Sequence, residues 1–224
     1  MEKHQTTIDL RYLTQLALLI AIQFVMRMLG LGRVPVGPLY MSFLTVPIAV
    51  GAILLGPLAG AVLGAVFGGL SFYDAITGVS VMTGAFFAVD PLNTFVLCVV
   101  TRMLVGVCAG WLFRFIRFFD RKEGICYWLG ALATPVLNTV FFMGYIVLVF
   151  YQTEFVQNLV ADKGAPNPFL FVIMLVGVQG LIEAVVCAAV GGAVTKGVSV
   201  ALGLGRRKKD AVADADNFSN NELL

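Results

Sequence analysis

A run of about 20 mostly apolar residues is long enough to cross a bilayer, and this chain is built from little else. The stretch "LALLIAIQF", Leu16 to Phe24, sits in the first of six such segments. Their bounds read as 10–29, 41–55, 58–72, 92–114, 127–151 and 168–202. The second is short, and only Gly56-Pro57 parts it from the third. Pro57, Pro91 and Pro168 stand at segment starts, where a missing N–H costs nothing. Of the 224 residues, 59% are hydrophobic and 12% charged, whereas a soluble domain is about a quarter charged. Lipid must therefore be the solvent for most of the surface. The predicted fold class is an all-α integral membrane protein, a bundle of six transmembrane helices spanning 10–202. A short segment, 1–9, precedes it, and a tail, 203–224, follows that is basic and then polar enough to be disordered.

Basic residues orient the bundle. Lys3 and Arg11 open the first segment; Arg114, Arg117, Arg121 and Lys122 close the fourth; Lys196 and the run Arg206 to Lys209 end the last. With six crossings these fall on one side, which predicts cytoplasmic termini and a multi-pass protein of the cell membrane. The other side carries Arg33 and Lys163 in its loops, and Arg27 near a helix end. The sequence "MRMLGLG" lacks a small-x-small cleavage site, so the first apolar run is expected to stay as a span. The basic tail suits anionic lipid better than nucleic acid. No internal repeat is visible, which disfavours an inverted-repeat carrier.

Several chemistries are missing. The one histidine, His4, and the cysteines Cys98, Cys108, Cys126 and Cys187 show no metal spacing. "GGAVTKG" has the wrong order for a phosphate-binding loop. Neither a catalytic constellation nor a cofactor site is expected, so the chain does not read as an enzyme. If transport here is driven by ATP, another subunit hydrolyses it.

What remains is a polar belt inside the bilayer, where ionisable groups usually face a cavity or a partner. By helical rise, Arg102, Asn138, Gln179 and Glu183 lie roughly 15 to 23 Å below the outer surface. In one reading Arg102 pairs with Glu183 and the amides complete a structural network. In the other, Arg102 or Gln179 floors a pocket and holds an anionic or amide-bearing ligand; a guanidinium suits a carboxylate because its fork makes two parallel bonds. The loop "GLGRVPVGPLY" adds Arg33 and Tyr40. The longer "YDAITGVSVMTGAFFAVDP" is apolar for an exposed connection and reads as a lid, with Tyr73, Phe86 and Phe87 placed to cover a ligand. Asp90 and Asn93 flank Pro91, where they cap the next helix or touch ligand.

Small residues mark contact faces. Gly56, Gly60, Gly64 and Gly68 recur every four residues, as do Gly106 and Gly110, and read as packing within the bundle. Ala17 and Ala21 repeat the spacing among Leu, Ile and Phe of the first helix. This AxxxA pair resembles a feature of the substrate-binding S components of energy-coupling factor (ECF) transporters. So do "TVPIAVGAILLGPLAGAVLGAVFGGLSF", Thr45 to Phe72, and "TRMLVGVCAGWLFR", Thr101 to Arg114. The resemblance implies a prokaryotic-type plasma-membrane subunit of an ATP-driven vitamin importer. Such a subunit captures a nutrient outside and docks through Ala17 and Ala21 on a transmembrane coupling subunit that works with two ATPase subunits. The closest look is to the pantothenate-type group. Folate or another vitamin or metabolite is the alternative ligand, and a stand-alone small-solute carrier or channel is the alternative class. The orientation is open to test by single-cysteine labelling in intact cells. Labels at Ser80 and Lys163 should react from outside, and labels at Lys122 and Asp210 only after lysis; ready labelling at Lys122 would invert the topology.

Overall fold

A computed structural model describes residues 10–32, 34–36, 39–120 and 125–201. The segments 1–9 and 203–224, and Arg33, lie outside the described residues. Five helices are long and apolar enough to cross a membrane: α1 (Leu10–Met28), α3 (Pro57–Ile76), α5 (Pro91–Phe119), α6 (Cys126–Phe150) and α8 (Pro168–Ala201). Three shorter helices join them: α2 (Thr45–Leu54), α4 (Val81–Val89) and α7 (Glu154–Lys163). The expected second span, 41–55, shrinks to the 10 residues of α2. At the helical rise that is about 15 Å, half a bilayer core. Every residue from Thr45 to Ile53 is buried, so α2 is surrounded by protein rather than lipid.

Residues of the expected first loop, with Met41, expected to open that span, form a two-stranded antiparallel hairpin, β1 (Val34–Val36) with β2 (Leu39–Met41), in the register Val34↔Met41. The helical bundle is therefore not purely α. Pro35 cannot donate to a helical ladder, and the β-branched Val34 and Val36 and the aromatic Tyr40 suit strands. The expected long loop after α3 is likewise partly helical, since α4 occupies its middle.

Glycine sets how close α3 and α5 come. A Cβ placed on Gly60 would meet the Gly106 carbonyl oxygen at 2.4 Å, and one on Gly106 would meet that of Gly60 at 1.9 Å. One helical turn on, a Cβ on Gly64 would meet the Arg102 carbonyl oxygen at 2.2 Å, and one on Gly68 that of Cys98 at 2.6 Å. Backbone thus lies on backbone along three turns, the contact that gives helices dispersion energy where water supplies no drive. Each of the three longest spans also contains a π turn, at Val96–Val100, Ile146–Phe150 and Cys187–Gly191.

By contrast α1 is attached lightly. Its buried residues are Leu16 and Gln23, and the Gln23 amide donates to the Leu63 carbonyl at 3.2 Å. Ala17 and Ala21 are exposed, on the side turned away from that attachment.

The interlock predicts an asymmetry between glycines inside and outside the seam, Gly106 of α5 and Gly69 of α3. Gly106→Ala should destabilise the protein by about 1–3 kcal/mol, the usual cost of overpacking. Gly69→Ala, where an added Cβ meets nothing within 4 Å, should be neutral or mildly stabilising. Thermal unfolding in detergent checks this; equal melting temperatures for the two variants would remove the interlock.

Candidate functional site

A cavity of about 90 Å³ lies among the hairpin, α1, α3, α4, α5, α6 and α8. Phe67, Ser71 and Asp74 reach it from α3, at a spacing that places all three on one helix face. Asn138 and Phe142 do the same from α6, and Gln179 and Glu183 from α8. Tyr40 of β2 and Ser42 just after it, and Ser80, Met82 and Thr83 around the start of α4, complete the wall. Such a volume holds a few waters; pockets for drug-sized ligands run to about 300–1,000 Å³.

Arg102 is 7% exposed and sits at the wall of this cavity. One terminal nitrogen donates to the Cys98 carbonyl at 3.0 Å and to that of Leu97 at 3.4 Å. Both acceptors belong to the π turn just before it. The guanidinium carbon stands 4.5 Å from the ring centre of Phe67 and 4.6 Å from that of Phe142. A buried guanidinium is thus held by carbonyl dipoles and two aromatic faces, arrangements that favour the charge. Its Nε has no hydrogen-bond partner among the described residues.

The Arg102–Glu183 ion pair, one of the two readings of the sequence, is not formed among the described residues. Glu183 accepts instead from the backbone N–H of Ser42 at 2.7 Å. One turn earlier on α8, the Gln179 amide donates to the Tyr40 carbonyl at 3.0 Å. Each carries bonds to backbone instead, Arg102 through one terminal nitrogen to its own helix and Glu183 to the residue just after the hairpin. Both side chains line the one cavity nonetheless. The cavity's ion pair is between Arg27 of α1 and Asp74 of α3, whose side chains are 12% and 6% exposed. Its signal in the sequence is two opposite charges in the last turns of α1 and α3.

Other expected site residues fall elsewhere. Asp90 caps α5: its carboxylate accepts from the Asn93 backbone N–H at 3.0 Å and from the Asn93 amide at 2.7 Å. These donors hold the Asp90 carboxyl below its ordinary pKa. Tyr145 donates to the Asn93 amide oxygen at 2.7 Å, so both groups serve the helix start and stand off the cavity. Phe86 is fully buried, stacked on Phe150 with ring centres 4.4 Å apart. Phe87 meets Phe72 edge-on at 5.8 Å, and Tyr73 is 63% exposed. None of the three lines the cavity. Aromatic rings that looked like a lid are the apolar seam anchoring α4, and Met82 and Thr83 face the cavity in their place. Tyr40 contributes to the wall, and its hydroxyl donates to the Val79 carbonyl at 3.1 Å, tying the hairpin to the α3–α4 connection. Phe67, Ser71 and Phe142 were readable from helical spacing to Asp74 and Asn138. Ser42 acts through its backbone and left no such signal.

Comparison with known proteins places this architecture. A family model described as ECF transporter, substrate-specific component, matches residues 11–191. The solved structure of ThiT from Listeria monocytogenes is similar to this chain, with a TM-score of 0.56 and 18% identity over 84% of this chain and 94% of that one. At that identity the likeness is one of fold. No curated protein sequence matches the chain.

Proposed function

The chain belongs to the ECF transporter substrate-specific component family, and from that premise we propose that it captures pantothenate from outside the cell in the cavity walled by Arg102. The observation that carries the reading is a set of three buried polar atoms on one cavity, each without a partner among the described residues: Arg102 Nε, Gln179 Oε1 and Thr83 Oγ1. Buried polar groups are normally bonded, and an orphan costs about 1–3 kcal/mol. A ligand with a carboxylate, an amide and hydroxyls on an aliphatic body meets a cation, an amide oxygen and a hydroxyl beside the apolar walls of Phe67, Phe142 and Val176. At about 90 Å³ the cavity is too small for such a ligand, so binding in this reading includes an outward shift of α4.

In this function the chain hydrolyses nothing. It docks on a transmembrane coupling subunit that works with two ATPase subunits, using the exposed Ala17 and Ala21 of α1. Small side chains there let a partner helix approach closely. Import of pantothenate follows from ATP turnover in those partners.

Thermal-shift screening of the purified protein against a vitamin panel tests the ligand. Pantothenate at about 100 times its Kd should stabilise the fold by about 2.7 kcal/mol, and folate should not. Arg102→Ala should fold, because no carboxylate loses its partner, and should bind pantothenate about 10- to 100-fold more weakly, as loss of a charged hydrogen bond implies. Full affinity in a folded Arg102→Ala protein would remove that residue from the site.

A further inference from the structure

We propose that Gln179 reads a hydrogen-bond donor on the captured molecule and transmits occupancy of the cavity to the outer hairpin, an inference that rests on the cavity being the capture site. Gln179 is 8% exposed, and its two polar atoms have different fates. The amide nitrogen donates to the Tyr40 carbonyl in β2, while Oε1 is buried without a partner among the described residues. The carboxamide is planar and its ends are chemically distinct: the nitrogen donates and the oxygen accepts. With the nitrogen tied to Tyr40, the plane is set and the oxygen is left as an acceptor on the cavity wall. A ligand N–H or O–H that bonds this oxygen removes its desolvation cost. It also restricts the side chain to the rotamer in which the nitrogen holds Tyr40.

The hairpin is sensitive to that tie. Glu183, one turn further along α8, holds the backbone N–H of Ser42 at 2.7 Å, so one helix grips two points of one short stretch of chain. Arg102 and Thr83 carry the other two orphaned atoms on the cavity; the Arg102 guanidinium donates to its own helix, and the Thr83 hydroxyl has no partner among the described residues. Gln179 alone of these three has one polar atom on the hairpin and one on the cavity. It acts as a positioning residue for the hairpin and a specificity-determining one for the ligand.

Hydrogen exchange at the Ser42 amide in the purified full chain, with and without pantothenate, tests this. In the wild type, saturating pantothenate should slow exchange at Ser42 at least about tenfold, the factor expected of one secured hydrogen bond. Gln179→Met keeps the side-chain length but neither donates nor accepts. Without ligand it should exchange Ser42 about tenfold faster than wild type, and pantothenate, still registered by thermal shift through Arg102, should give no added protection. Gln179→Glu keeps an acceptor and loses the donor, so it should lose the protection too, and it carries both arms should the methionine variant fail to fold. Ligand-induced slowing equal to wild type in both variants would overturn the inference. If pantothenate does not stabilise even the wild type, the ligand assignment has failed and the ligand-free arm decides. Faster exchange in Gln179→Met then supports the tie, and unchanged exchange overturns it.

Discussion

Backbone contact between α3 and α5 is the constraint on which the site depends. Gly64 lies against the carbonyl of Arg102 itself, and Gly60 and Gly106 lie against each other one turn away. No side chain separates the two helices there, so the guanidinium leaves α5 beside the next residues of α3. Phe67, three residues after Gly64, is the ring it meets at 4.5 Å. The π turn at Val96–Val100 then supplies the carbonyls that hold one of its nitrogens. A buried cation needs this support, because an unpaired charge in a low-dielectric interior is expensive. The glycine stripe, the aromatic pair and the π turn together fix one arginine at the wall of one cavity.

The outer elements depend on the same helices from the other direction. Gln179 and Glu183 of α8 hold the hairpin by its backbone, and Tyr40 fastens it to the α3–α4 connection. The cavity is thereby enclosed to about 90 Å³. Gln179 and Glu183 are engaged with this stretch of backbone, while Gln179 Oε1 and Arg102 Nε stay without a partner among the described residues. The attachment of α1, through Leu16, Gln23 and the Arg27–Asp74 ion pair, leaves its opposite face to whatever lies outside the bundle.

Much of this was legible in the residue order, for identifiable reasons. Lipid-facing surface is apolar whatever it packs against, so five long spans announce themselves as runs. Backbone contact admits only glycine, so the four-residue period of Gly60, Gly64 and Gly68 marks the α3–α5 seam. The belt of Arg102, Asn138, Gln179 and Glu183 does converge on one cavity. What failed was pairing and local form. Opposite charges at similar depth read as an ion pair, but Arg102 and Glu183 each found backbone groups, and a carbonyl or N–H leaves no trace in the sequence. The start of the apolar run 41–55 gave no sign that Met41 belongs to a strand. Phe86 and Phe87 looked like lid residues because burial of α4 against Phe150 and Phe72 is a tertiary fact.

The central claim is that capture and docking occupy different surfaces of one subunit, the cavity at Arg102 and the outer face of α1. Tryptophan at Ala21 tests it most directly, because it fills the close-approach stripe without touching the cavity. The account predicts that Ala21→Trp folds, binds pantothenate like the wild type, and no longer copurifies with the coupling and ATPase subunits. A variant that keeps those partners but loses the ligand would contradict it.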